Sequence, residues 1–157
     1  MSAPPWKFEG FVTAAENQVV QDWFWDEAND DERDALRDRV GYLANLKKTL
    51  WQEPHFKWFG TYGEIRKSVP RGALRAYGFF DEARDTFVLL HAHVKNVKRD
   101  SQGMDVAERR LRRLQNGEGS THGFDFEDKS ASANSQGKEG ESATGGIELV
   151  RGDCVSD

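Results

Sequence analysis

Three apolar runs rich in β-branched and aromatic residues, separated by turn residues, occupy the middle of the chain. They predict strands over about Tyr62 to Lys67, Leu74 to Phe80 and Phe87 to Lys95. The links Val69-Pro70-Arg71-Gly72 and Asp81 to Asp85 are short enough for hairpins, so the three strands read as an antiparallel meander. Side chains alternate across a strand, which sorts these residues into two faces. Ile65, Leu74, Ala76, Val88, Leu90, Ala92 and Val94 supply an apolar set. Glu64, Arg66, Arg75, Tyr77, Phe79, Leu89, His91, His93 and Lys95 fall on the alternate positions.

Flanking patterns extend this. Trp6 to Thr13 alternates and predicts a first strand, placed at an edge of the sheet. Thr13 with Glu16 fits a capping box, followed by a helix to about Glu27 with Val19, Val20, Trp23 and Phe24 at core spacing. Asn29 or Asp30 can cap a second helix over about Asp31 to Leu50. There Leu36, Val40, Leu43, Leu46 and Leu50 recur at steps of three and four. Trp51 to Gly60 reads as a loop, since Pro54 breaks the helix. A third helix, capped by Asp100 or Ser101, spans about Met104 to Leu114 and ends at Gly117. The fold class is therefore α+β, in the order β-α-α-β-β-β-α: an antiparallel sheet, an N-terminal helical hairpin on its apolar face, and a C-terminal helix. Residues 1–125 form the predicted domain. Residues 126–157, rich in Ser, Gly and Glu, are too poor in apolar residues to build a core and predict a disordered acidic tail.

Charge sharpens the contrast between the faces. The net charge is −5, but residues 1–56 carry −5, residues 57–113 carry +6 and residues 114–157 carry −6. A basic middle between acidic ends suits an anionic partner. The polar face has one carboxylate, Glu64, beside arginine, histidine, lysine and tyrosine, a composition suited to a phosphate backbone with stackable bases. The single cysteine, Cys154, excludes a disulfide framework within the chain and predicts a reducing, cytoplasmic home. No apolar run reaches membrane-span length, so no membrane association is expected, and the N-terminus lacks a signal-peptide core. His91 and His93 lack adjacent carboxylates, so no metal site and no cofactor are expected.

The segments GEIR (63–66), LRAYGFF (74–80) and FVLLHAHVKN (87–96), with Ala107 and Arg110 on the third helix, resemble the RelE/ParE toxin superfamily, in particular its HigB-like, phage-related branch. The resemblance spans about residues 6–116. It implies a RelE-like fold and the toxin of a type II toxin–antitoxin pair, an mRNA interferase cutting messenger RNA on the ribosome without a metal. The implied partners are messenger RNA and a cognate antitoxin of helix-turn-helix type. Other members poison DNA gyrase instead, and a decayed phage-derived relative would only bind. The matching positions are Arg66, Arg75 and Lys95. His93 stands where the family has an aromatic residue, and Asn96 where it has a second lysine.

Such a reaction uses the RNA 2′-hydroxyl as nucleophile. Arg66 and Arg75 suit phosphate charge, since guanidinium groups hold phosphate oxygens bidentately. Lys95 adds charge or serves as base, and His93 as acid or base near neutral pH. Tyr77, His91, Lys98, Arg99, Arg109 and Arg112 are the expected RNA contacts. His55 is a lone loop histidine with no expected role.

Overall fold

The three central runs do form an antiparallel meander, inside a larger mixed sheet. The computed structural model describes residues 5–96 and 101–127. Its strands are β1 (Lys7–Thr13), β2 (Phe56–Trp58), β3 (Gly63–Val69), β4 (Gly72–Asp81), β5 (Thr86–Lys95) and β6 (Gly119–Gly123), side by side in the order β2-β3-β4-β5-β1-β6. The helices are α1 (Val19–Asp22), which runs on into a π turn over Trp23–Glu27, α2 (Asp30–Ala44) and α3 (Ser101–Gln115). The fold is α+β, and the described residues up to Phe124 belong to one compact unit.

Two expectations about the sheet are corrected. β1 is not an edge: it lies between β5 and β6, parallel to the first and antiparallel to the second. A parallel pair needs a long crossover, here everything between β1 and β5, so local pattern could not place it. The sheet also gains two strands. β2 falls inside the expected 51–60 loop, and β6 (GSTHG) covers the side of β1 away from β5.

The helices start and stop at caps. Asn29 Oδ1 accepts from Glu32 N at 2.9 Å while Glu32 Oε1 accepts from Asn29 N at 3.0 Å, a closed capping box. α2 ends at Ala44, short of Leu50, and carbonyls at and just beyond its end are satisfied from elsewhere. Trp6 N donates to Ala44 O at 2.8 Å, and the Trp6 and Trp51 indoles both donate to Leu46 O. Leu36, Val40 and Leu43 are buried as the spacing predicts, but Leu50 is exposed. The Thr13–Glu16 box does not cap a helix. Glu16 takes a left-handed φ of 67°, Thr13 Oγ1 accepts from Asn17 N, and α1 begins only at Val19.

The core sits between the sheet and α2. Trp6, Trp51, Phe56, Phe80 and Phe87 meet mostly edge to face, with ring centroids 4.7–6.3 Å apart. Ile65, Leu74 and Ala76, with Leu36 and Leu43, are fully buried. Gly78 is required here: a Cβ on it would stand 2.3 Å from Val88 O and 2.4 Å from the Phe87 ring. At that point the β4–β5 register slips. Tyr77 faces His91, but Gly78 faces Leu89, leaving Leu90 as a bulge. Past the bulge the two faces of β5 exchange. Leu89, expected beside His91, instead faces Gly78 on the Leu74–Ala76 side.

α3 lies on the other face. Its Glu108 accepts from the Tyr62 hydroxyl at 3.4 Å, and Arg110 stacks on Phe11 and donates to Leu90 O at 2.9 Å. The polar face is therefore partly roofed rather than open. No helix among the described residues is long and apolar enough to cross a membrane.

Candidate nucleic-acid interface

Strand register brings four of the sequence-predicted residues together. Arg66, Arg75 and His93 are direct cross-strand neighbours in one row over β3, β4 and β5. Two residues along, on the same face, the next row is Ser68, Ala73 and Lys95; the row on the other side is Glu64, Tyr77 and His91. Directly opposed residues on a sheet face have Cβ atoms about 4.5–5.5 Å apart, so the three-residue row is about 10 Å long.

Glu64 dominates the electrostatics of the face. Its carboxylate is buried, with Oε1 2.7 Å from Arg66 Nε and Oε2 3.6 Å from Arg75 Nε. Glu53 stands 3.7 Å from the far side of Arg66, and Arg75 Nη1 donates to Leu74 O at 2.9 Å. One carboxylate thus aligns both guanidinium groups and offsets part of their charge. The acid that composition set aside as a single exception is the one that orders the arginines. Guanidinium has five N–H donors, so each arginine keeps donors beyond those used on Glu64.

Tyr77 was expected to stack a base, but it is fully buried. Its ring lies within 6.1–6.2 Å of the rings of Tyr62, His91 and His93 and forms the floor beneath the histidines. The Tyr62 hydroxyl is pushed up to about 12 by burial, then by Glu108. It therefore stays protonated and donates to Glu108. His91 and His93 are half-buried, their ring centroids 5.0 Å apart.

Arg109 and Arg112 are exposed on α3, as their positions predicted; Lys98, Arg99 and the expected cap at Asp100 lie outside the described residues. His55 is not part of the face: it contacts Arg39 and the Tyr42 ring, and burial followed by Arg39 and Lys67 holds its imidazole below the usual value. Among the described residues no group of three or more His, Cys, Asp or Glu could hold a metal ion.

One feature was not visible in the sequence. β1 pairs with β5 only as far as Leu89, so among the described residues the C-terminal half of β5 has no strand on that side. A 540 Å³ cleft opens there between the α1–π-turn segment and α3, with His91, Ala92 and His93 on its floor. Asp22, Trp23 and Glu27 line one wall and Arg110 the other. Only the heptad-like placing of Arg110 beside Ala107 and Leu111 hinted that this arginine differs from its exposed neighbours.

No protein-family model matches the chain, and no curated protein is significantly similar to it.

Proposed function

We propose that the chain is a metal-independent endoribonuclease, the toxin of a toxin–antitoxin pair of RelE/ParE type, cutting messenger RNA on the ribosome in the cytoplasm. The observation that supports this reading is the row Arg66–Arg75–His93 with Lys95 beside it on one face. In this scheme Arg66 and Arg75 bind the scissile phosphate and stabilise charge as the fifth oxygen approaches phosphorus. His93 takes the 2′-hydroxyl proton. The 2′-oxygen bonds to phosphorus, the P–O5′ bond breaks, and the Lys95 ammonium protonates the departing 5′-oxygen. The products are a 2′,3′-cyclic phosphate and a 5′-hydroxyl, which balances atoms and protons without a metal. Arg109 and Arg112 on α3 would contact RNA backbone or an acidic surface of the antitoxin.

The test is induced expression in bacteria of the wild type beside Arg66→Lys/Arg75→Lys and Lys95→Met, with growth recorded and new 5′ ends mapped. Lysine keeps the charge against Glu64 and loses the two-point grip, so folding is retained. Growth arrest with new 5′-hydroxyl ends, reduced on the order of a hundredfold in each variant, is the expected result. Wild-type arrest without new ends would overturn the nuclease reading.

A second reading has one observation in its favour. Glu64 already engages both arginines, which suits a face built for docking rather than for phosphate. A toxin that binds a protein such as gyrase, or a decayed relative that only binds, would keep its effect in Lys95→Met.

A further inference from the structure

The cleft beside β5 lies at the end of the phosphate row and shares His93 with it, with His91 of the neighbouring row alongside. Its two walls are unlike. On one, Asp22 and Glu27 are exposed carboxylates that make no ion pair among the described residues, and the half-buried Trp23 ring lies between them in sequence. Burial, with Asp26 nearby, holds the Asp22 carboxyl above its usual value. On the other wall Arg110 is half-buried. It gives one donor to Leu90 O, the first carbonyl beyond the parallel pairing, and rests on Phe11; no carboxylate among the described residues pairs with it. Burial, with Arg109 and Arg113 alongside, pulls its guanidinium below the usual arginine value. An unpaired cation with donors to spare is an anion site, and carboxylates across from it are acceptors for N–H groups.

We infer that this cleft takes one nucleotide whose base carries an exocyclic amine: phosphate toward Arg110, the base against Trp23, and its amino group donating to Asp22 or Glu27. Adenine, guanine and cytosine offer that amine; uracil offers only a ring N3–H set between two carbonyl oxygens, which carboxylates repel. The inference rests on the nucleic-acid reading of the face. It deepens that reading by adding base preference next to the cut, since a nucleotide on the His91–His93 floor adjoins the phosphate row. The volume fits: 540 Å³ is in the range of small-ligand sites.

The experiment titrates the full chain with AMP, GMP, CMP and UMP, following tryptophan fluorescence and the Trp23 indole resonance. The three amino-bearing nucleotides are expected to bind about tenfold more tightly than UMP, the scale of one charge-assisted hydrogen bond. In Asp22→Asn/Glu27→Gln the preference should fall to within about twofold while UMP binds no worse, because two repelling charges are gone and an amide can serve either pattern. Both positions are exposed, so the fold should tolerate the change. Equal binding of all four nucleotides, no saturable binding at millimolar concentration, or a preference unchanged in the double variant would each overturn the inference. The assay does not need turnover. Discriminating binding by a chain that never cuts RNA leaves the cleft standing and removes the nuclease. Cutting without nucleotide discrimination does the reverse.

Discussion

Glu64→Gln tests the electrostatic argument most directly, because the change keeps shape and removes only charge. The Glu64 side chain is 4% exposed, against 26% for Arg66 and 18% for Arg75. Breaking a fully buried ion pair by removing one partner costs about 3–5 kcal/mol, since the other charge is left without compensation. Here the orphaned charges are two arginines that reach water in part, so the loss should sit below that range, at about 2–3 kcal/mol. At a urea dependence of about 2 kcal/mol per molar, the unfolding midpoint read by tryptophan fluorescence should fall by roughly 1–1.5 M. The same substitution releases positive charge toward solvent. Binding of a single-stranded RNA oligonucleotide should tighten, and its log–log salt slope should steepen by about 0.7 for each additional phosphate neutralised. Glu118→Gln, at an exposed carboxylate beyond α3, is the control and should stay within about 0.5 kcal/mol of wild type. A Glu64→Gln protein as stable as the wild type, with unchanged RNA affinity, would refute the claim that this carboxylate orders and partly neutralises the arginines.

Three further outcomes follow from geometry. Gly78→Ala places a methyl group against Val88 O and the Phe87 ring and should cost about 1–3 kcal/mol in a thermal melt, because backbone cannot step aside as a side chain can. Asn29→Ala removes the acceptor for Glu32 N and should cost about 1 kcal/mol by urea titration, with helical signal lost from α2. Arg71 donates twice to the buried Glu32, each at 2.7 Å, and these bonds hold the Glu32 carboxyl below its usual value of 4.5. A depressed folded value means the stabilisation is full above pH 4.5 and disappears as pH falls through the lowered value. Stability curves of wild type and Arg71→Gln should therefore differ at pH 6–7 and converge in acid. Curves separated by a constant amount across that range would refute the linkage to the Glu32 charge, and coincident curves would show that the pair contributes nothing.

How far the sequence reached depends on whether each signal is local. Period-two alternation located β3, β4 and β5 to within about two residues, and the cap candidates Asn29 and Asp30 marked the start of α2, because both signals are written in adjacent residues. β2 is three residues long and β6 has no apolar run, so neither has a local signature; each exists because a neighbouring strand offers it an edge. The bulge at Leu90 is likewise a property of pairing. Alternation carried straight through that position puts Leu89 on the polar face. The slip there lets Leu89 and Phe87 join the core while His91, His93 and Lys95 stay with the arginines. The three residues of the row and Lys95 beside it were legible because they all lie on one side of the bulge, where a uniform period holds.

The same distinction explains the cleft. A parallel β1 that parts from β5 after Leu89 leaves strand carbonyls needing donors, and a buried carbonyl left unpaired is costly. Arg110 answers Leu90 O from α3, and that position holds its guanidinium half-buried without a carboxylate. In the sequence it is one of four arginines in five residues, RRLRR, and looks like the rest of a solvated helix. The structure separates it from Arg109, Arg112 and Arg113, which are exposed. The consequence is testable in one substitution. Arg110→Gln can still donate to Leu90 O but carries no charge, so the chain should fold with little loss while binding of all four nucleotides weakens together. Loss of only the amino-bearing three would refute Arg110 as the phosphate contact, since a guanidinium has no acceptor for an amine.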